Sequence, residues 1–104
     1  MKISIAICTW NRSALLAKCL EHIEACRPPA CGELEVVVVN NNCTDDTDRV
    51  IEAFSRRLPL RRVFEPRPGV ANARNAAVDA VRGDCLLWTD DDVRVDRDWI
   101  VEYE

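Results

Sequence analysis

The chain has 104 residues, 48% of them hydrophobic and 31% charged, with a formal net charge of −4. That length allows one domain with a single modest core, and the composition is that of an ordinary soluble globular protein. The acidic balance gives no electrostatic drive toward nucleic acid or an anionic membrane, and no apolar run approaches the ~20 residues of a transmembrane helix.

Residues 2–8, KISIAIC, are β-branched and apolar and give way at once to Thr9, Asn11 and Arg12. The pattern predicts a buried strand ending in a loop. The same run is too short for a signal peptide, which places the chain in the cytoplasm. Ser13 is positioned to cap a helix whose apolar residues, Leu16, Cys19, Leu20, Ile23 and Cys26, recur at helical spacing; Pro28, Pro29 and Gly32 then break it.

A second strand is predicted over 34–40, LEVVVVN, where continuous apolar character suits a parallel strand covered on both faces. It ends in Asn40, Asn41 and Asn42. Thr44 and the aspartates after it open a second helix carrying Val50, Ile51 and Phe54, with Asp45 and Asp46 placed to cap it and complement its dipole. A weaker third strand covers 60–65, LRRVFE. After the turn PRPG, the alanine-rich stretch 70–82 predicts a helix closed by Gly83 at its C′ position. The fourth strand, 85–88 CLLW, runs into Asp90, Asp91 and Asp92.

Strands alternating with helices imply an α/β fold, a parallel Rossmann-like sheet with helices on both faces. Ligands of such sheets bind at the carboxyl ends of the strands. Thr9 and Asn11, Asn40 to Asn42, and Asp90 to Asp92 are therefore expected on one rim. The six cysteines have no CxxC spacing and the only histidine, His22, falls in the first helix, so they read as reduced structural thiols rather than zinc ligands or disulfides.

Several chemistries are excluded by missing motifs. There is no GxGxxG after the first strand and no GxxxxGK[ST] loop. A calcium loop counted from Asp90 needs glycine and glutamate where Val95 and Val101 stand. Three adjacent carboxylates repel one another, and a hard divalent cation, Mg²⁺ or Mn²⁺, relieves that repulsion while sharing oxygen ligands with a diphosphate. Asp90 and Asp92, one residue apart on a tight turn, suit that work, one toward a ribose hydroxyl and the other toward the metal.

The ordered set SIAICTWNR, VVVVNNNCTDDT, GVANARNAAVDAVRGDCLLWTDDDV and DRDWI resembles the family 2 glycosyltransferases of the GT-A fold over nearly the whole chain. The resemblance implies a nucleotide-diphospho-sugar donor, a carbohydrate or lipid-linked acceptor for the full-length enzyme, and transfer with inversion. It assigns nucleotide contacts to Thr9, Asn11, Arg12, Asn40, Asn41, Arg74, Asn75, Asp90 and Asp91, and the divalent metal to the DxD pair Asp90 and Asp92. Two departures stand out. Asn40 replaces the family's usual aspartate, and an amide donates as well as accepts. The family's domain is also about twice as long, so residues 1–104 are expected to be its N-terminal nucleotide-binding half, without acceptor site or catalytic base. Three alternatives stand beside this reading. One is a donor-binding module without catalysis. A nucleotidyltransferase would carry a glycine-rich loop after the first strand, and a phosphate-signalling receiver would carry its acids after the first and third.

Overall fold

The structure, a computed structural model, describes residues 2–29 and 32–103. Its elements are β1 (Lys2–Thr9), α1 (Ser13–Glu24), β2 (Glu33–Asn40), α2 (Thr47–Ser55), β3 (Leu60–Phe64), α3 (Val70–Ala80) and β4 (Cys85–Asp90), followed by a 3-10 turn at Val101–Tyr103. The expected alternation is present, and all four strands pair in parallel in the order β3-β2-β1-β4. Cys31 lies outside the described residues. No described helix is long and apolar enough to cross a membrane.

The alternation of side chains along a strand divides the core in two. Ile3, Ile5 and Ile7 of β1 and Val36 and Val38 of β2 face α1 and α2, where Leu16, Leu20, Ile23, Ile51 and Phe54 cover them. Ala6, Val37 and Val39 face the other way, against Ala73 and Ala77 of α3. Both faces of the two central strands are thus covered, which is why their sequences read as unbroken apolar runs. Alanines let α3 lie close on its face, while the larger residues build the thicker layer opposite.

Local details differ from the sequence reading at three helix ends. Ser13 is the first residue of α1 rather than its cap; Arg12 precedes it, and the Arg12 side chain makes no capping bond. The Ser13 amide instead donates to Asp45 Oδ2 at 3.0 Å. The second helix begins at Thr47, not Thr44, and of the two candidate capping acids only Asp45 serves: its Oδ1 accepts from the Thr47 amide at 3.1 Å and the Thr47 hydroxyl at 2.5 Å. Helix α3 ends at Ala80, and Val81 is already extended, so Gly83 is no C′ cap. Gly83 is there for close approach. A Cβ at that position would lie 2.3 Å from Ser4 Oγ and 2.9 Å from backbone atoms of Lys2 and Ser4.

That close approach belongs to a polar network. Buried Glu35 accepts from Ser4 Oγ at 2.6 Å, the Arg82 amide at 2.6 Å and Arg61 Nη2 at 3.2 Å. Arg61 also donates to the Ala80 carbonyl, and the Gly83 amide donates to Ser4 Oγ at 2.8 Å. Burial opposes the charge on Glu35, but its hydrogen bonds from Ser4, Arg82 and Arg61 outweigh burial and hold the carboxyl below its ordinary 4.5.

A carboxyl depressed by folding stabilises the protein fully above its unfolded pKa and loses that contribution as pH falls through the folded value. Glu35→Ala is therefore expected to cost about 3 kcal/mol at pH 7, the upper end for hydrogen bonds to a charged group. Its stability should also fall less steeply than wild type below pH 4.5. Gly83→Ala should cost about 1–3 kcal/mol through overpacking. Urea unfolding across pH checks both.

Candidate functional site

The strand register sets the rim. Thr9 of β1 lies opposite Asn40 of β2, and Cys8 lies opposite Asp90 of β4, so the expected convergence of the three strand ends is present. The chain leaves β1 toward α1 on one face and reaches β4 from α3 on the other. The connections therefore diverge between β1 and β4, which is where parallel sheets open a crevice. A cleft of about 650 Å³ occupies that place, lined by the ends of β1 and β4, by Val70, Ala73 and Arg74 of α3, and by Val93, Val95 and Trp99 beyond the aspartates. Small-molecule sites usually measure ~300–1,000 Å³.

The three aspartates are not equivalent. Asp91 is 5% exposed and turned inward, where Thr9 Oγ1 donates to its Oδ2 at 2.8 Å and Arg12 Nη1 to its Oδ1 at 3.4 Å. Asp90 and Asp92 are exposed at the cleft, Asp92 lying 3.8 Å from the same Arg12 nitrogen. The Val93 amide closes a turn onto the Asp90 carbonyl at 3.3 Å, and the Cys19 thiol donates to that carbonyl at 3.6 Å. Burial, and then the negative field of Asp91, Asp92 and Asp90, pushes the Cys19 thiol up to about 12. Further along, Val95 and Ile100 are buried with the α1 cluster, and Cys26 donates to the Asp96 carbonyl at 3.2 Å. Helix α1 thus carries the acidic turn on its back.

The asparagines reach the rim, but their amides are engaged in holding loops. Asn40 donates to Asp48 Oδ1 at 2.7 Å and accepts from the Cys43 amide at 2.8 Å. Asn41 donates to the carbonyls of Glu65 and Arg67 at 3.1 and 2.8 Å and accepts from the Gly69 amide at 3.2 Å. Asn11, at φ 50°, accepts from the Thr44 amide at 2.7 Å. Asparagine tolerates that left-handed conformation better than most residues. Asp48 is also paired with Arg62 at 2.8 Å, and the hydrogen bond from Arg62, against a smaller burial penalty and with help from Asn40, lowers its pKa. A carboxylate in place of Asn40 would face Asp48 without a proton to donate.

Arg74 lies over the ring of Trp88 at 5.1 Å and lines the cleft; Asn75, exposed on α3, is not among the lining residues. The residues that sequence reasoning missed are the tryptophans. All three of the chain's tryptophans, Trp10, Trp88 and Trp99, line this one cleft. The available signal was their adjacency to the strand-end polar residues, since Trp10 stands between Thr9 and Asn11 and Trp88 just before the aspartates.

Among the described residues no three histidine, cysteine or acidic side chains gather into a metal cage. Two exposed carboxylates beside an open cleft are instead what Mg²⁺ or Mn²⁺ uses when waters and phosphate oxygens complete the shell. The residues present fit a cation of that kind and not a soft-metal site.

The family model described as glycosyl transferase family 2 matches residues 4–102. The succinoglycan biosynthesis protein ExoM of Rhizobium meliloti is 29% identical over 102 residues, covering 96% of this chain and 33% of that protein. The crystal structure of S. aureus TarS 1–349 in complex with UDP superposes with a TM-score of 0.90 at 26% identity, over 99% of this chain and 31% of that one. The mannosyltransferase PcManGT from Pyrobaculum calidifontis, in complex with GDP-Man and Mn²⁺, gives 0.78 at 31% identity, over 86% and 27%. The chain spans a third or less of the length of these relatives. The parallel sheet with alternating helices is the GT-A-like arrangement expected from the sequence.

Asn41→Ala removes both donors and the acceptor that hold residues 65–69 against the end of β2. It should cost about 2–3 kcal/mol, since buried backbone groups lose partners. Faster amide exchange at Arg67 and Gly69, with β1 unchanged, is the expected readout.

Proposed function

The chain belongs to glycosyl transferase family 2, and from that premise we propose that it forms the donor-binding part of a metal-dependent, inverting glycosyltransferase. The observation that carries the reading is the cleft between β1 and β4, where Asp91 is held inward and Asp90 and Asp92 are left facing the opening. In this reading Asp92 holds the divalent cation and Asp90 shares it while accepting a ribose hydroxyl. Bound there, the cation supplies charge neutralisation for the departing diphosphate.

The remaining roles follow from which side chains have room to act. Arg74, on the wall formed with Trp88, offers a guanidinium to the donor's phosphates, and the exposed ring of Trp10 offers a flat face. Asn11, Asn40 and Asn41 act on the nucleotide through the loops they hold, and Asn75, outside the cleft lining, is given no contact. Relatives of this fold were crystallised with UDP, UDP-GlcNAc or GDP-Man, which supports a nucleotide-diphospho-sugar as donor. The acceptor, carbohydrate or lipid-linked, needs a carboxylate base on the far side of the sugar, and none of this chain's residues is assigned to that role. The free cysteines among the described residues, Cys8, Cys19, Cys26, Cys43 and Cys85, suit a reducing compartment such as the cytoplasm.

Calorimetric titration of Mn²⁺ should show weak binding to the chain alone and tighter binding with UDP or GDP present, because the diphosphate completes the shell. Asp92→Asn should abolish that synergy without lowering the unfolding midpoint. Equal Mn²⁺ affinity in wild type and variant would remove Asp92 from the metal site.

A further inference from the structure

Thr9 and Arg12 leave the end of β1 and both reach Asp91, across 82 and 79 residues of sequence. Asp91 is the one member of the acidic triplet that is buried, and these two donors satisfy one carboxylate oxygen each. Thr9 is itself 2% exposed, and its hydroxyl donates to Asp91. Arg12 is half exposed, and its nearer acidic contact is Asp91 at 3.4 Å rather than Asp92 at 3.8 Å. The successive residues of the turn point different ways, so fixing Asp91 inward fixes Asp90 and Asp92 outward.

We propose that Thr9 and Arg12 are positioning residues that act through Asp91: they form a socket for its carboxylate and thereby aim Asp90 and Asp92 at the cation. This rests on the reading of the cleft as a metal and diphosphate site, and it gives Thr9 and Arg12 a role other than direct contact with the nucleotide. Two forces act in opposite directions at Arg12. Its positive charge beside Asp92 repels an incoming cation, whereas its grip on Asp91 orders the turn that receives one. Thr9 carries no charge, so its substitution isolates the ordering effect.

The experiment compares wild type with Thr9→Val, Thr9→Ser, Arg12→Gln and Arg12→Lys. Mn²⁺ affinity in saturating UDP is read by electron paramagnetic resonance, and UDP affinity without metal by calorimetry. Partners that orient metal-site carboxylates are worth about 10–100-fold in metal affinity. Thr9→Val, which keeps shape and loses the donor, should weaken Mn²⁺ binding about tenfold and broaden the Mn²⁺ signal, with metal-free UDP binding unchanged; Thr9→Ser should restore both. Arg12→Gln should weaken Mn²⁺ binding although it removes a repelling charge, and Arg12→Lys should recover part of the loss.

Tighter Mn²⁺ binding in Arg12→Gln would show that repulsion outweighs positioning and overturn the assignment for Arg12. Loss of metal-free UDP binding in Thr9→Val, in a variant with wild-type unfolding midpoint, would make Thr9 a nucleotide contact and overturn it there. Wild-type protein that binds neither Mn²⁺ nor UDP would overturn the functional reading itself, which separates that failure from failure of the socket.

Discussion

Strand β1 is hydrogen-bonded along both edges, to β2 from Lys2 to Thr9 and to β4 from Ile3 to Cys8. Everything else in the molecule is arranged around that double ladder. A strand with neighbours on both sides and helices on both faces has no route to water, so Ile3, Ile5, Ala6 and Ile7 are fully buried. The backbone groups of such a strand must find partners within the sheet, because an unmet buried amide or carbonyl is costly. The functional consequence is positional: with β2 on one side and β4 on the other, the polar residues at the ends of all three strands are delivered to one rim.

Charge is handled differently at the two ends of the sheet. Near the amino ends of the strands, Glu35, Ser4, Arg61 and Arg82 form a closed network in which the buried carboxylate has three donors. Near the carboxyl ends, two of three consecutive carboxylates, Asp91 and Asp92, share the guanidinium of Arg12. One end is satisfied internally; the other presents a surplus of negative charge to an open cleft, a state that binding of a cation relieves. The closed network supports the fold, and the open one lines the cleft.

The loops that frame the cleft are ordered by short polar side chains rather than by apolar packing. Asn11 ties the β1 loop to the β2 loop, Asp45 ties the first turns of α1 and α2, and Asn41 ties the β3–α3 loop to the end of β2. The tryptophans give the cleft flat apolar faces beside its carboxylates.

Strand and helix alternation, the burial of the two central strands and the placing of asparagines and aspartates at strand ends were legible in the sequence, because apolar periodicity and turn chemistry report local burial directly. The order of strands was not, since pairing β4 with β1 rather than β3 depends on which helix crosses which face. Gly83 looked like a helix cap and proved to be a contact with Ser4, a neighbour 79 residues away. In the same way the triplet of aspartates was plain as a motif, while its division into one inward and two outward carboxylates came from Thr9 and Arg12 on another strand end. Sequence fixes what each segment prefers by itself; only the folded chain decides which distant donor a side chain meets, because that choice is made by packing across the sheet.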